Sequence, residues 1–536
     1  MASAAATDAR GRLRVERRRA VEFFLAQGDK LLVGGLVALF IAISVWWVRT
    51  DSRVPNGDNA KHTLHAFRYF DQFELGHWLF AILHWTSYPP LVHVVGAAGV
   101  AVWGASNDAV VLAENVIFVP LLALGCYQAG RIAFGRLAGV LTVVFVLGAP
   151  MIISLFHVFM VDAPAAAMAA LTVWFLLASR RFASLPWSLA AAVAFAAGMH
   201  VKATFVMFVA GFALALLVRG GWRRWRHVLL AAGAFLILVE PWYFAHLADL
   251  RGLTAGAISP QTVRWYDAVS YPSRWTLENF GWYWWTLVNA QLYLPLTIFF
   301  VVGSTVSMVA WFRHRRRPTY VPELLFGALF AYFGISLISL DDPRYLIPGI
   351  VYAGLLGTGW IVSLPWSAKV FAIGALGTVF LINTTLVNYV SGDEYAKITL
   401  PGARGSPIGE RSFTLYSNRG YVEGRPHAGG ATPLIIDMLR RAREDGARRV
   451  VFQPESMNNG GYNLDALAIM ALQAGLEVPG FDWRALASDD IYVFRIDRTQ
   501  AGRPACLDSW DSTGLYMVKG PPSPGKPYYC PPPDPE

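Results

Sequence analysis

The sequence predicts a mainly α protein, a polytopic bundle of about eleven transmembrane helices followed by a small C-terminal α/β domain on the extracytoplasmic side. Three observations predict it. Of 536 residues, 55% are hydrophobic and only 15% are charged, against about 25% charged in an ordinary soluble domain. Apolar runs near the roughly 20 residues that cross a bilayer core as helix recur from position 31 to position 390. The arginines and lysines, which give a formal net charge of +9, fall in short clusters between those runs, as cytoplasmic loops do. That distribution excludes nucleic acid as a partner and leaves membrane lipid.

The first run, Leu31 to Val48, follows the basic segment "RGRLRVERRR" and ends in "WWVRTDS" without a small-residue cleavage site. It reads as an uncleaved span, with residues 1–30 in the cytoplasm and its far end outside. Further spans are predicted over 109–130, 137–156, 161–178, 187–200, 203–218, 228–245, 291–312, 322–340, 345–362 and 369–390. Alternation from the first span puts Arg131 and Arg136, Arg180 and Arg181, "RGGWRRWR" and "RHRRR" all inside. The stretch "PPLVHVVGAAGVAVWG", 89–104, is short and opens with two prolines, so it reads as an interfacial or re-entrant element. The transmembrane domain thus covers 31–392, with outer loops at 49–108 and 246–290.

Residues 393–536 follow an odd number of spans and are placed outside. "TPLIIDMLRRAREDGARRVVFQP" reads as a helix and a short strand, "LDALAIMALQAGLEV" repeats that pattern, and "DDIYVFRI" reads as a closing strand. A proline-rich tail follows. Of the three cysteines, Cys126 lies in an apolar run, while Cys506 and Cys530 lie in this tail, where oxidation is favoured and a disulfide is expected.

Ionisable residues at span ends gather on one side. Asp58, Asp162, Lys202, Glu240, Asp341, Asp342 and Arg344 are all predicted outside, and such groups at membrane depth mark a cavity or reaction site. Each also has a plain reading. Asp58 in "PNGDN" suits a helix cap; Asp162 suits a simple ion pair, Lys202 snorkelling to headgroups, and Arg344 a loop cap with Asp341. His62, His65 and Tyr69 follow Asp58 at offsets of four, seven and eleven, so the four share a helical face. An amphipathic interfacial helix with its polar face toward headgroups explains the histidines better than metal binding does. The aromatic loop at 246–290 suits interfacial anchoring and also closure over a site.

In order, the stretches "GDNAKH", "SYPPLVHVVGAAGVAVWGASNDAVVLAEN", "VDAPAAAMAAL", "GMHVKATF" and "PRYLIPGI" resemble the GT-C glycosyltransferases, in particular the family of protein O-mannosyltransferases and bacterial lipid A aminoarabinose transferases. The resemblance covers about residues 30–360. It implies a polyprenyl-phosphate sugar donor, an acceptor glycan, lipid or protein, and a bacterial cytoplasmic membrane. Carried over, Asp58 matches the catalytic base and Asp162 a second aspartate near the site, while Lys202 and Arg344 match basic positions near the donor phosphate. His62, His65 and Tyr88 are candidate substrate or metal contacts. Asn59 stands where an acidic residue commonly follows the first aspartate, and Tyr88 where a basic residue often precedes the proline pair, so a divalent metal ion is left open. A sugar already linked through phosphate needs a base for the acceptor's proton and cations for the departing phosphate, which implies inversion at the anomeric carbon. A lipid or sugar transporter and an envelope assembly protein are the competing classes.

Overall fold

A computed structural model of the chain describes residues 27–53, 55, 57–249, 251, 276–313, 320–338, 342–390, 394–399, 412–418, 436, 439–440, 443–444, 449–452, 464–476, 491–496 and 515–519. Cys506, Cys530 and Asp341 lie outside the described residues. Over the described residues, each of the eleven apolar runs is helical, one of them with a break. Among the described residues, six helices are long and apolar enough to cross a membrane: α1 (Gln27–Thr50), α5 (Asn107–Phe134), the segment Gly221–Ala245, α13 (Tyr293–Arg313), the segment Pro343–Ser363 and α16 (Trp366–Tyr389). Shorter apolar helices include α4 (Leu91–Trp103), α6 (Arg136–Leu147), α8 (Asp162–Ala178), α9 (Leu185–Met199) and α14 (Val321–Ser336). By the length and composition of these helices the chain is a multi-pass membrane protein.

One run differs from expectation. The stretch 137–156, predicted as one span, is broken: α6 ends at Leu147 and α7 (Pro150–Leu155) begins three residues on. Proline cannot donate to the preceding turn and disfavours helix in the residue before it. The carbonyl freed at Gly148 accepts from Asn383 Nδ2 at 2.9 Å, so the break leaves that group satisfied in an apolar setting. The proline-led run 89–104 folds as α4, whose 13 residues extend about 20 Å at 1.5 Å each, short of the roughly 30 Å hydrocarbon core.

The chain divides into two compact units. The first holds 1–43, 118–153 and 162–421. Its helices approach closely at small residues, as membrane helices without a hydrophobic driving force must. A Cβ at Gly125 would sit 2.6 Å from the Ala170 backbone of α8, and one at Gly303 of α13 would sit 2.2 Å from the Leu356 carbonyl of α15 (Ile350–Gly359). An antiparallel hairpin, β1 (Tyr395–Thr399) and β2 (Ser412–Ser417), closes this unit. Asn289 Oδ1 accepts from both Thr414 N and Thr414 Oγ1 at 2.9 Å.

The second unit holds 44–117, 154–161 and 422–536. It contains α2 (Asp58–Glu74), α3 (Trp78–His84) and α4, with α2 packed along α4. A Cβ at Gly96 would meet Ala66 at 2.7 Å. Its sheet has the order β3 (Arg449–Phe452), β4 (Ile491–Ile496), β5 (Leu515–Lys519). The first pair is parallel and the second antiparallel, and α17 (Leu464–Gln473) lies between β3 and β4 in sequence. The helix lies within "LDALAIMALQAGLEV" and β3 and β4 lie within "RRVVF" and "DDIYVFRI"; the strand expected after that helix falls mostly outside the described residues, and β5 is an addition. Within the unit, α17 packs on α2.

Candidate functional site

In the first unit, three chain breaks between helices bring charged residues together. Asp162 opens α8, where a carboxylate is favoured by the positive end of the helix. Lys202 has extended backbone (φ −152°) in the turn between α9 and the short 3-10 segment Ala203–Phe205. Arg344 is the second residue of the 3-10 segment Pro343–Gly349, whose cap is Asp342: its Oδ1 accepts from Arg344 N at 3.0 Å.

Lys202 Nζ donates to Asp162 Oδ1 at 2.5 Å, and Arg344 Nε lies 3.9 Å from Asp162 Oδ2 and 2.9 Å from Asp342 Oδ2. The Tyr345 ring carries Lys202 Nζ at 4.4 Å and the Arg344 guanidinium at 5.6 Å. Asp162 is 1% exposed, and the Arg344 and Lys202 side chains are 7% and 15% exposed. Burial pushes the Asp342 carboxyl above the usual carboxylate range, although the Arg344 guanidinium beside it pulls the other way. Two cations and two carboxylates thus share one cluster, in which each cation has a counter-charge beside it. Glu240 is exposed near the end of α11 (Trp225–Ala245) and takes no part in it.

Gln291 was not visible as a functional residue. Its Nε2 donates to the Pro343 carbonyl, which fixes the start of the segment carrying Arg344. It ends a π turn, Leu287–Gln291, and Tyr293 just beyond has φ 56°. Such π turns insert a residue into a helix and often occur at functional sites. A lone glutamine in "TLVNAQLYL" has no periodic signature.

In the second unit, Asp58 is exposed in the first turn of α2 and the cap position is Gly57, so the carboxylate is not the N-cap. The polar face that the sequence places toward headgroups turns inward: His62 and Tyr69 are 3% and 0% exposed. They meet a residue missed in the sequence, His93 of α4, itself fully buried. His62 Nδ1 and His93 Nε2 are 3.0 Å apart in a hydrogen bond whose direction depends on the tautomers. Tyr69 stacks on His93 with ring centres 5.9 Å apart, and Tyr88 meets His62 edge-on at 5.0 Å and His65 at 5.9 Å. The Lys61 ammonium lies over Tyr88 at 4.9 Å. Among the described residues no three His, Cys, Asp or Glu side chains are arranged to hold a metal ion, and the facing nitrogens of His62 and His93 are spent on each other. Glu114, also missed, is fully buried on α5, and its Oε2 accepts from Met160 N at 3.2 Å. Beside it, Asn115 Nδ2 donates to the Val111 and Phe156 carbonyls.

Burial pushes the His65 imidazole down to about 4, with Arg68 and Lys61 adding to the shift. As pH falls below 6.5 the unfolded chain takes this proton first, so stability is present above that pH and is lost down to about 4. A shift of this size corresponds to about 3 kcal/mol. Thermal midpoints measured from pH 7.5 to 4 should fall in the parent and fall less in His65→Phe, which keeps the ring packing. Equal slopes would reject the assignment.

Residues 87–244 match the family model described as dolichyl-phosphate-mannose-protein mannosyltransferase, well under half of the chain. No curated protein matches the sequence. Among solved structures, ArnT from Cupriavidus metallidurans bound to undecaprenyl phosphate is 19% identical with a TM-score of 0.47, over 67% of this chain and 66% of that one. The oligosaccharyltransferase of Archaeoglobus fulgidus in complex with Zn and sulfate is 12% identical with a TM-score of 0.47, over 86% and 67%. The chain therefore spans just under two thirds of the length of the first of these. The matched stretch carries Tyr88, the proline pair, Asp162 and Lys202, and over it the chain resembles the GT-C glycosyltransferases, as its motifs do.

Proposed function

We propose that this chain is a membrane glycosyltransferase that moves a sugar from a polyprenyl-phosphate donor to a glycan, lipid or protein acceptor at the outer face of the membrane. The observation that carries the reading is the buried cluster of Lys202 and Arg344 around Asp162, within a chain whose residues 87–244 match a mannosyltransferase family. Buried charge of this kind is costly and is kept where an anion must be handled.

Asp58 is the base. It takes the proton of the acceptor hydroxyl as that oxygen attacks the anomeric carbon, and the bond from that carbon to the phosphate oxygen breaks with its electron pair leaving on the phosphate. The configuration inverts because attack comes opposite the leaving group. The phosphate gains charge as the bond breaks, so cations favour the transition state over the bound donor. Lys202 and Arg344 supply them, and Asp162 and Asp342 are positioning residues that hold both side chains before the donor arrives.

Membranes containing the protein, incubated with polyprenyl-phosphate sugars labelled in the sugar, should release polyprenyl phosphate and form a labelled product. Labelled lipid that crosses the bilayer uncleaved would make the protein a transporter, and neither outcome would leave an assembly role.

A further inference from the structure

The first unit carries a second concentration of cations, which begins just past the C-terminal end of α8, the helix that Asp162 opens. Glu323 on the first turn of α14 has a fully buried side chain. Its Oε1 accepts from Arg181 Nε at 3.0 Å and Nη2 at 2.7 Å, and Arg219 Nε lies 3.4 Å away. Arg180, Arg181 and Phe182 adopt φ of 52°, 58° and 64° in succession, a left-handed run that costs each non-glycine residue about 1 kcal/mol or more. The run is locked in place. Ser179 Oγ accepts from Phe182 N at 3.1 Å, His227 Nδ1 lies 2.8 Å from the Phe182 carbonyl, and the Phe182 ring fills the space a Cβ would need at Gly221. Strain held this firmly marks a place where the arrangement is used.

The lock fixes one turn against another and consumes the Glu323 carboxylate. Neither 179–187 nor 218–231 contains an Asp or Glu. Arg180, Arg223, Arg224 and Arg226 stay exposed. Trp222 and Trp225 are 59% and 57% exposed, with the Arg223 and Arg226 guanidinium groups 5.4 Å from their ring centres. Directly beyond, α11 presents exposed Leu229 and Leu230. Tryptophan collects where hydrocarbon meets headgroups, and arginine forks suit phosphate. The apolar side of α11 and the cationic turn therefore meet at the depth of lipid phosphates.

We propose that this arginine turn, rimmed by Trp222 and Trp225, binds the headgroups of anionic membrane phospholipids, with Glu323 as the clamp that sets it. Attraction of this kind is worth a factor of roughly five per basic residue near an anionic surface. The test uses the full chain in neutral detergent, titrated with phosphatidylglycerol or phosphatidylcholine and followed by thermal midpoint and by native mass spectrometry of retained lipid.

Phosphatidylglycerol should raise the midpoint and stay bound, and the effect should weaken with salt. The variant R223Q/R224Q/R226Q should bind it on the order of a hundredfold more weakly, with an unchanged midpoint in lipid-free detergent. Arg224→Gln alone, about fivefold weaker, carries the test if the triple variant fails to fold. Three outcomes overturn the proposal: equal affinity in parent and variants, equal stabilisation by phosphatidylcholine, or equal stabilisation by inorganic phosphate, which would make this a site for soluble anions. None of these readouts depends on transferase activity.

Discussion

Asp58→Asn is expected to fold as the parent does and to lose between about a hundredfold and ten-thousandfold in turnover, the range general-base catalysis supplies. The two effects separate because of where Asp58 sits. It is exposed, it is the first residue of α2, and the cap position belongs to Gly57 with φ 59°. Removing its charge costs the attraction to the helix N-terminus, about 0.3–1 kcal/mol. Asparagine keeps the shape and polarity of the side chain but cannot accept the acceptor's proton. Turnover at saturating donor, set beside the thermal midpoint of the same preparation, decides it. A variant with near-normal turnover removes Asp58 from the mechanism, and one that loses turnover together with its midpoint turns the residue into a structural one.

How legible these features were depends on the range of the interaction behind them. Helices are written in hydropathy, which is local, so each apolar run was found; only the Gly148–Pro150 break, a backbone effect, was passed over. Asp162, Lys202 and Arg344 stood out because an ionisable residue at the end of an apolar run is costly unless partnered. Their partners did not stand out. Asp342 caps the turn that carries Arg344, while Asp341, the partner expected for it, lies outside the described residues. For α2, the spacing identified which residues share a face but not which face meets the protein. His62 and Tyr69 are covered by α4, and no periodicity within α2 records that neighbour. Gln291 and Glu114 act through backbone groups of distant segments, which a single sequence does not encode as a pattern.

Asp162→Asn is expected to lower stability by about 3 kcal/mol, the lower end of the cost of leaving a buried charge without its partner. The substitution preserves volume, so the loss is electrostatic. Lys202 Nζ loses the counter-charge 2.5 Å away and Arg344 the one 3.9 Å away, while Asp342 stays 2.9 Å from Arg344. Lys202 is 15% exposed and retains some hydration, which holds the effect to that lower end. The double variant Asp162→Asn, Lys202→Met removes the stranded charge and should recover most of the midpoint, since replacing a buried ion pair with neutral side chains of similar size is often tolerated. Unfolding midpoints of parent, both single variants and the double variant form a cycle whose coupling term reports the pair. A single variant as stable as the parent would mean that the cluster does not hold together as described. Turnover measured on the same four proteins then separates structure from chemistry. Where the double variant regains its midpoint but not its activity, Lys202 acts on the donor phosphate; where activity returns as well, the phosphate is bound without it.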